Sequence, residues 1–398
     1  MKLSSAAKRA VMIGSVCSCA YLAVYIARNI LGAVTPQLIE KNILTTEIIG
    51  SLSSLYFICY ALGQLINGRI GDKIKTKYMV SLGLLMAGIS TVLFSLIYKS
   101  TAALFIVYGF TGYFLSMIYG PMTKLVSENT EPLYATRCSL GYTFASFFGS
   151  PVAGFFATLF AWNTSFKVSG AVLGIMALIS FSLFSFYEKR GIIEYNKFKP
   201  KKEKGGSISV LFKRGIVKFA FISIITGVVR TTVVFWLPTY LSQNLGFSPS
   251  NAAFIYTIAT FAISATPFIA IFIYEHVNMN MNLTILIGFS SASVFFLLVY
   301  LIPSPFLNII FMVLSIMSSN CAASMLWSRY CPSLYDTGYV STATGFLDFI
   351  SYMSAAISST IFANAVSVIG WSGLILIWFT LMLSGVMISL PYKKLIHK

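Results

Sequence analysis

An all-α membrane protein, with twelve transmembrane helices in two bundles of six, is the fold class that the sequence predicts, and three observations predict it. Of 398 residues, 57% are hydrophobic and only 10% charged, which is far from the balance of a soluble domain. The apolar residues gather into about twelve runs, each near the length of about 20 residues that a bilayer span requires. The two halves also echo each other, because a shift of 202 positions carries Arg28 onto Arg230, Pro36 onto Pro238 and Asn42 onto Asn244.

Taken in order, the runs cover 11–36, 46–68, 78–98, 102–126, 137–161, 165–187, 216–241, 250–274, 282–302, 305–328, 337–363 and 371–391. Glycine and proline inside them, as at Gly120-Pro121 and Pro267, are ordinary for membrane helices that approach closely or bend. The first run follows Lys2, Lys8 and Arg9 but is not a secretory signal: no small-residue cleavage site follows it in a polar region, and eleven more runs do. The one long polar stretch, 188–214, separates six runs from six. It is the linker between an N-terminal bundle, 1–187, and a C-terminal bundle, 215–398.

Charge placement orients the chain. With the N-terminus inside, 23 lysines and arginines fall on the cytoplasmic side and 3 outside, as the positive-inside rule demands. The sequence therefore predicts a multi-pass protein of the bacterial inner (plasma) membrane with both termini cytoplasmic. The formal charge of +17 is a topology signal, so the partners expected are the lipid bilayer and a small anionic substrate, with no nucleic acid, and the protein is expected to act as a monomer. No cofactor or metal is expected: the six cysteines lack CxxC spacing, and the histidines are His276 and His397 alone. The spans carry neither paired carboxylates nor histidines for an enzyme, and a channel would not need two echoing halves.

An arginine at the centre of a span costs about 2.5–3.5 kcal/mol, so Arg28 and Arg230 need a compensating structure. A guanidinium stays protonated and donates two parallel hydrogen bonds, which suits an oxyanion. Only one other ionisable acid, Asp348, sits plainly within a span. Two arrangements stay open: anion binding by both arginines, or a structural pair in which Asp348 satisfies Arg230. Tyr25, one helical turn before Arg28, can share its face; Tyr60, and Tyr352 four residues after Asp348, can line the same cavity. Trp236, Tyr240 and Trp371 read as interface anchors or packing residues.

A second constellation lies between the second and third runs, at Gly68-Arg-Ile-Gly-Asp72-Lys73-Ile-Lys75-Thr-Lys77. A carboxylate beside a helix end and several cations can close a network in one conformation and release it in another. Asp72 is expected to close such a latch with Lys73, Lys77 or Arg137, and Glu275 is its counterpart in the second half.

This loop, together with Gly120-Pro121 and Arg137, resembles the major facilitator superfamily. Within it, Arg28-Asn-Ile-Leu-Gly-Ala-Val-Thr-Pro36 and Arg230-x5-Trp236-x-Pro238-Thr239-Tyr240-Leu241 are similar to the organophosphate:phosphate antiporters. The resemblance implies alternating access, exchange of a phosphorylated metabolite for inorganic phosphate, and phosphate held by Arg28 and Arg230. Asn29 stands where that family has a basic residue, Gln64 in place of its second-span lysine, and Ala145 or Ser146 in place of its histidine. These departures make a proton-coupled carrier of organic carboxylates the alternative, with drug or other solute efflux third.

Overall fold

The computed structural model describes residues 4–71, 74–195, 209–276, 279–331, 333–334 and 340–390. Its first six long helices are α1 (Ser5–Glu40), α2 (Thr46–Gly71), α3 (Thr76–Leu96), α4 (Thr101–Asn129), α5 (Pro132–Leu159) and α6 (Trp162–Lys189). After a short helix at Ser209–Lys213 come α7 (Ile216–Gln243), α8 (Pro249–His276), α9 (Met281–Leu301), α10 (Pro305–Tyr330) and α11 (Val340–Ser389). Helices are the expected answer for an apolar chain, because hydrocarbon offers no water to satisfy backbone N–H and C=O groups.

Their ends have local causes. The Ser4 hydroxyl accepts from the Ala7 N–H at 3.1 Å to open α1, and the Asn280 side chain accepts from the Leu283 N–H at 3.2 Å to open α9. Pro132 and Pro305 occupy first turns, where no N–H is needed. Among the described residues, ten helices are long and apolar enough to cross a membrane. The 28-residue α5 covers the fifth apolar run, and α11 carries the last two. At Gly370 the backbone turns to φ 68°, ψ −178°, a state nearly confined to glycine. The kink makes two spans of one element, so the twelve apolar runs map onto the helices within a few residues at each end.

The structure forms two compact units. The first comprises Met1–Lys202, Phe235–Ser264 and Ala356–Ala363. Within it α1 packs on α5 and α6, α3 on α4 and α6, α2 on α4, and the first part of α8 on α5 and α1. The second unit comprises Glu203–Val234, Ala265–Ala355 and Asn364–Lys398. There α9 pairs with α10, and the end of α8 and the start of α7 also rest on α10. The boundary crosses α7, α8 and α11 because the last part of α7, the first of α8 and a middle stretch of α11 bury against the N-terminal helices. Trp236 and Tyr240 (both 0% exposed) and Trp371 (7%) are packing residues and not interface anchors.

Candidate functional site

The first unit builds its site from α1 and α2. Arg28 is 6% exposed, inside a helix that runs unbroken for 36 residues. Its Nη1 donates to the Tyr25 hydroxyl at 3.2 Å. Its guanidinium carbon stands 4.9, 5.3 and 5.8 Å from the ring centroids of Tyr25, Phe57 and Tyr60. Each such face is worth about 0.5–2 kcal/mol, so three together offset much of the cost of about 2.5–3.5 kcal/mol for an arginine at mid-span. Asn29 spends its amide nitrogen on the Tyr25 carbonyl at 2.7 Å. Gln64 is half-buried, one turn beyond Tyr60 on α2.

Phe57 was not among the residues expected from sequence, although it sits one turn before Tyr60 and so shares its helix face. A tyrosine cluster continues from this site. The Tyr21 ring lies 5.0 Å from Tyr25, 5.4 Å from Tyr119 of α4 and 6.1 Å from Tyr142 of α5. The α1–α5 seam positions it, and it closes at Gly149: a methyl there would lie 2.7 Å from the Tyr25 carbonyl carbon and 3.0 Å from the Ile26 nitrogen. Only glycine lets the two backbones meet one turn from Arg28.

In the second unit Arg230 is half-buried in a π-helical stretch, Val228–Val233. Six of the seven residues from Val228 to Val234 are β-branched, which weakens regular α-helix here, and one-turn π-bulges recur at functional sites. The same unit packs α7 on α11. The Ser223 hydroxyl donates to the Leu347 carbonyl at 2.7 Å, that of Thr232 to Ala355 at 3.2 Å, and that of Ser354 to Ile224 at 3.2 Å. Arg230 therefore lies on the stretch of α7 that faces the stretch of α11 bearing Asp348, half-buried, and Tyr352, buried.

The latch residues distribute differently from expectation. Asp72 and Lys73 lie outside the described residues, and Gly68 is in the last turns of α2. Lys77 pairs with Glu188 at the end of α6 at 2.5 Å, and Lys75 meets its other carboxylate oxygen at 2.6 Å. A lysine at a helix start and a glutamate at a helix end each oppose the macrodipole, and pairing them relieves both. The hydrogen bond to Glu188 and its negative charge hold the Lys75 ammonium above the ordinary lysine range. Arg137 is exposed over the Tyr134 ring at 5.7 Å. Glu188 escaped the sequence reading because its partners are more than 100 positions away; the signal was the shared membrane side of the start of α3 and the end of α6. At the same end of the first unit, Arg9 donates to the Ile192 carbonyl at 2.6 Å, and Asn129 Oδ1 accepts from the Glu194 N–H at 2.8 Å. In the second unit the Glu275 counterpart lies 3.9 Å from Arg329.

The Major Facilitator Superfamily profile matches residues 17–359, and the chain belongs to that family. It is 22% identical to the glycerol-3-phosphate transporter of Bacillus subtilis over 265 residues, 61% of this chain and 60% of that one. It is 21% identical to the glucose-6-phosphate exchanger of Bos taurus over 256 residues, 53% of this chain and 52% of that one. The matched regions thus span about half to three-fifths of these organophosphate carriers. Among solved structures, a bacterial homolog of the human lysosomal transporter Spinster, inward-facing and unoccupied, superposes with a TM-score of 0.72 at 15% identity, covering 96% of this chain and 93% of that one. A D-xylose-proton symporter gives 0.70 at 14% identity, covering 95% and 96%. The two solved structures share the fold of this chain.

Proposed function

We propose that the protein exchanges a phosphorylated metabolite for inorganic phosphate by alternating access, with Arg28 and Arg230 as the anion-binding pair. The observation that carries the proposal is the setting of Arg28, a cation taken out of water and lined by the faces of Tyr25, Phe57 and Tyr60. Attraction between a guanidinium and an oxyanion is several-fold stronger there than in bulk water. The organophosphate relatives support a phosphate ester over other anions. Exchange suits a site built on two arginines, because an anion held throughout the transition keeps both guanidinium groups against a negative charge.

Tyr25, Asn29, Tyr60 and Gln64 complete the N-terminal side of the site in this reading, and Asp348 and Tyr352 the C-terminal side. The halves 1–187 and 215–398 move about it, joined by 188–214, in a bacterial inner membrane with both termini cytoplasmic. Gly68, Asp72, Lys73, Lys77 and Arg137 form the conformational latch. Purified protein in phosphate-loaded proteoliposomes tests the function: external glycerol 3-phosphate or hexose phosphate should release internal phosphate, and dicarboxylates should not. Release driven by dicarboxylates alone would transfer the reading to organic carboxylates.

A further inference from the structure

The second unit has an elbow where the chain enters α7. The short helix Ser209–Lys213 leads to Gly215, whose φ of 79° lies in the left-handed region that glycine adopts without steric cost, and α7 starts afresh at Ile216. Leu211 and Ile216 are buried on either side of the elbow, while Phe212 is 63% exposed. On the first two turns of α7, Val217 and Phe221 stand four residues apart on one exposed face. The start of α7 therefore keeps one apolar face inside the protein and turns another outward.

Two contacts fix this end of α7. The Phe219 ring stacks on Tyr330 of α10 with centroids 3.5 Å apart, and the half-buried Lys218 donates from its ammonium to Asn282 Oδ1, in the first turn of α9, at 3.0 Å. Asn282 is a neutral amide, so it sets where the ammonium sits and cancels none of its charge. Lys213 and Arg214, at the elbow itself, are exposed. The sequence supplies no acid from 209 to 235 or from 277 to 301, and Glu275, the one acid between those stretches, lies beside Arg329. Three cations thus border an outward apolar face, and no carboxylate of α7 or α9 offsets them.

We propose that the elbow and the first turns of α7 and α9 form a binding site for one anionic phospholipid, with its phosphodiester against Lys213, Arg214 and Lys218 and an acyl chain along Val217 and Phe221. A cation that only orients the chain needs no fixed position, whereas Lys218 is held between two helices. The pairing of cations with an apolar face is the complement of a lipid: free phosphate would use the charges and leave the apolar face idle, and a zwitterionic lipid would bring an ammonium of its own against them. Each lysine or arginine beside an anionic headgroup contributes about five-fold in affinity. The site lies about three turns from Arg230 along α7, so it stands independently of the anion-exchange reading.

The test uses full-length protein in neutral detergent, titrated with phosphatidylglycerol and read by native mass spectrometry as occupancy by the first lipid. Lys218→Gln should weaken that binding about five-fold, and Lys213→Gln combined with Arg214→Gln about twenty-five-fold; the double variant serves if Lys218→Gln fails to fold. Lys199→Gln with Lys201→Gln and Lys202→Gln removes as many charges from the linker and should leave the affinity within about two-fold, which a diffuse attraction of charges would not. Losses of about three-fold or more confined to the elbow variants support the site. A smaller loss in a folded elbow variant, an equal loss in the linker variant, equal affinity for phosphatidylcholine, or displacement of the lipid by inorganic phosphate overturns it.

Discussion

Replacing Arg28 with lysine should weaken phosphate binding by about 10–150-fold while the protein remains folded. The charge is kept, so the long-range attraction survives. What is lost is the fork: a guanidinium gives an oxyanion two parallel hydrogen bonds, and an ammonium at the end of a flexible stem gives one point contact. One charge-assisted hydrogen bond is worth about 1.5–3 kcal/mol, the source of that range. The structure makes the substitution a fair test, because the rings at 4.9, 5.3 and 5.8 Å can also face a lysine and keep it buried. The assay is equilibrium binding of radiolabelled phosphate to purified protein, with thermal unfolding followed in parallel. Arg230→Lys should behave alike, since the proposed site gives both arginines the same task. Phosphate affinity within about three-fold of wild type in both variants would refute the two-arginine site, and the pairing of Arg230 with Asp348 would replace it.

Four further outcomes are expected. Tyr25→Phe removes the hydroxyl that Arg28 meets at 3.2 Å and should cost about 1 kcal/mol, about five-fold in phosphate affinity, without unfolding; titration calorimetry measures it. Gly149→Ala drives a methyl to 2.7 Å from the Tyr25 carbonyl carbon, so it should lower stability by about 1–3 kcal/mol, and an unchanged thermal midpoint would contradict the close α1–α5 contact. Glu188→Gln should change the exchange rate while leaving the phosphate Kd alone, because it unties α6 from Lys75 and Lys77 far from Arg28. Since the Lys75 pKa is raised by Glu188, the contribution of that contact is complete below the ordinary lysine value and is lost as pH rises through the higher one; the difference between Glu188→Gln and wild type should be flat over about pH 6–8 and shrink in strong alkali. Asp72→Asn should slow transport more than it weakens binding, and loss of binding with the conformational distribution unchanged would count against the latch.

The sequence alone determined where the helices lie. Composition forces every backbone group to be satisfied within its own segment, and span length follows from bilayer thickness, so apolar runs become helices nearly end to end. It also singled out Arg28 and Arg230, because a buried cation is costly enough to stand out in any apolar run. Tyr25 was within reach too, one turn from Arg28 on the same helix.

Only the tertiary structure decided what surrounds those residues. Phe57 joins Arg28 because α2 lies beside α1, and no local period records that adjacency. Lys75 and Lys77 meet Glu188 because α3 begins where α6 ends, a contact across more than 100 positions. The 202-residue echo predicts equal settings for the two arginines, yet Arg28 sits in a continuous α-helix and Arg230 in a π turn. The difference comes from six β-branched neighbours around Arg230 and from packing of α7 on α11. Helix propensity and hydrophobicity act along the chain and are legible in it; packing partners and the fate of each buried polar atom are fixed between segments, where the sequence keeps no record of distance.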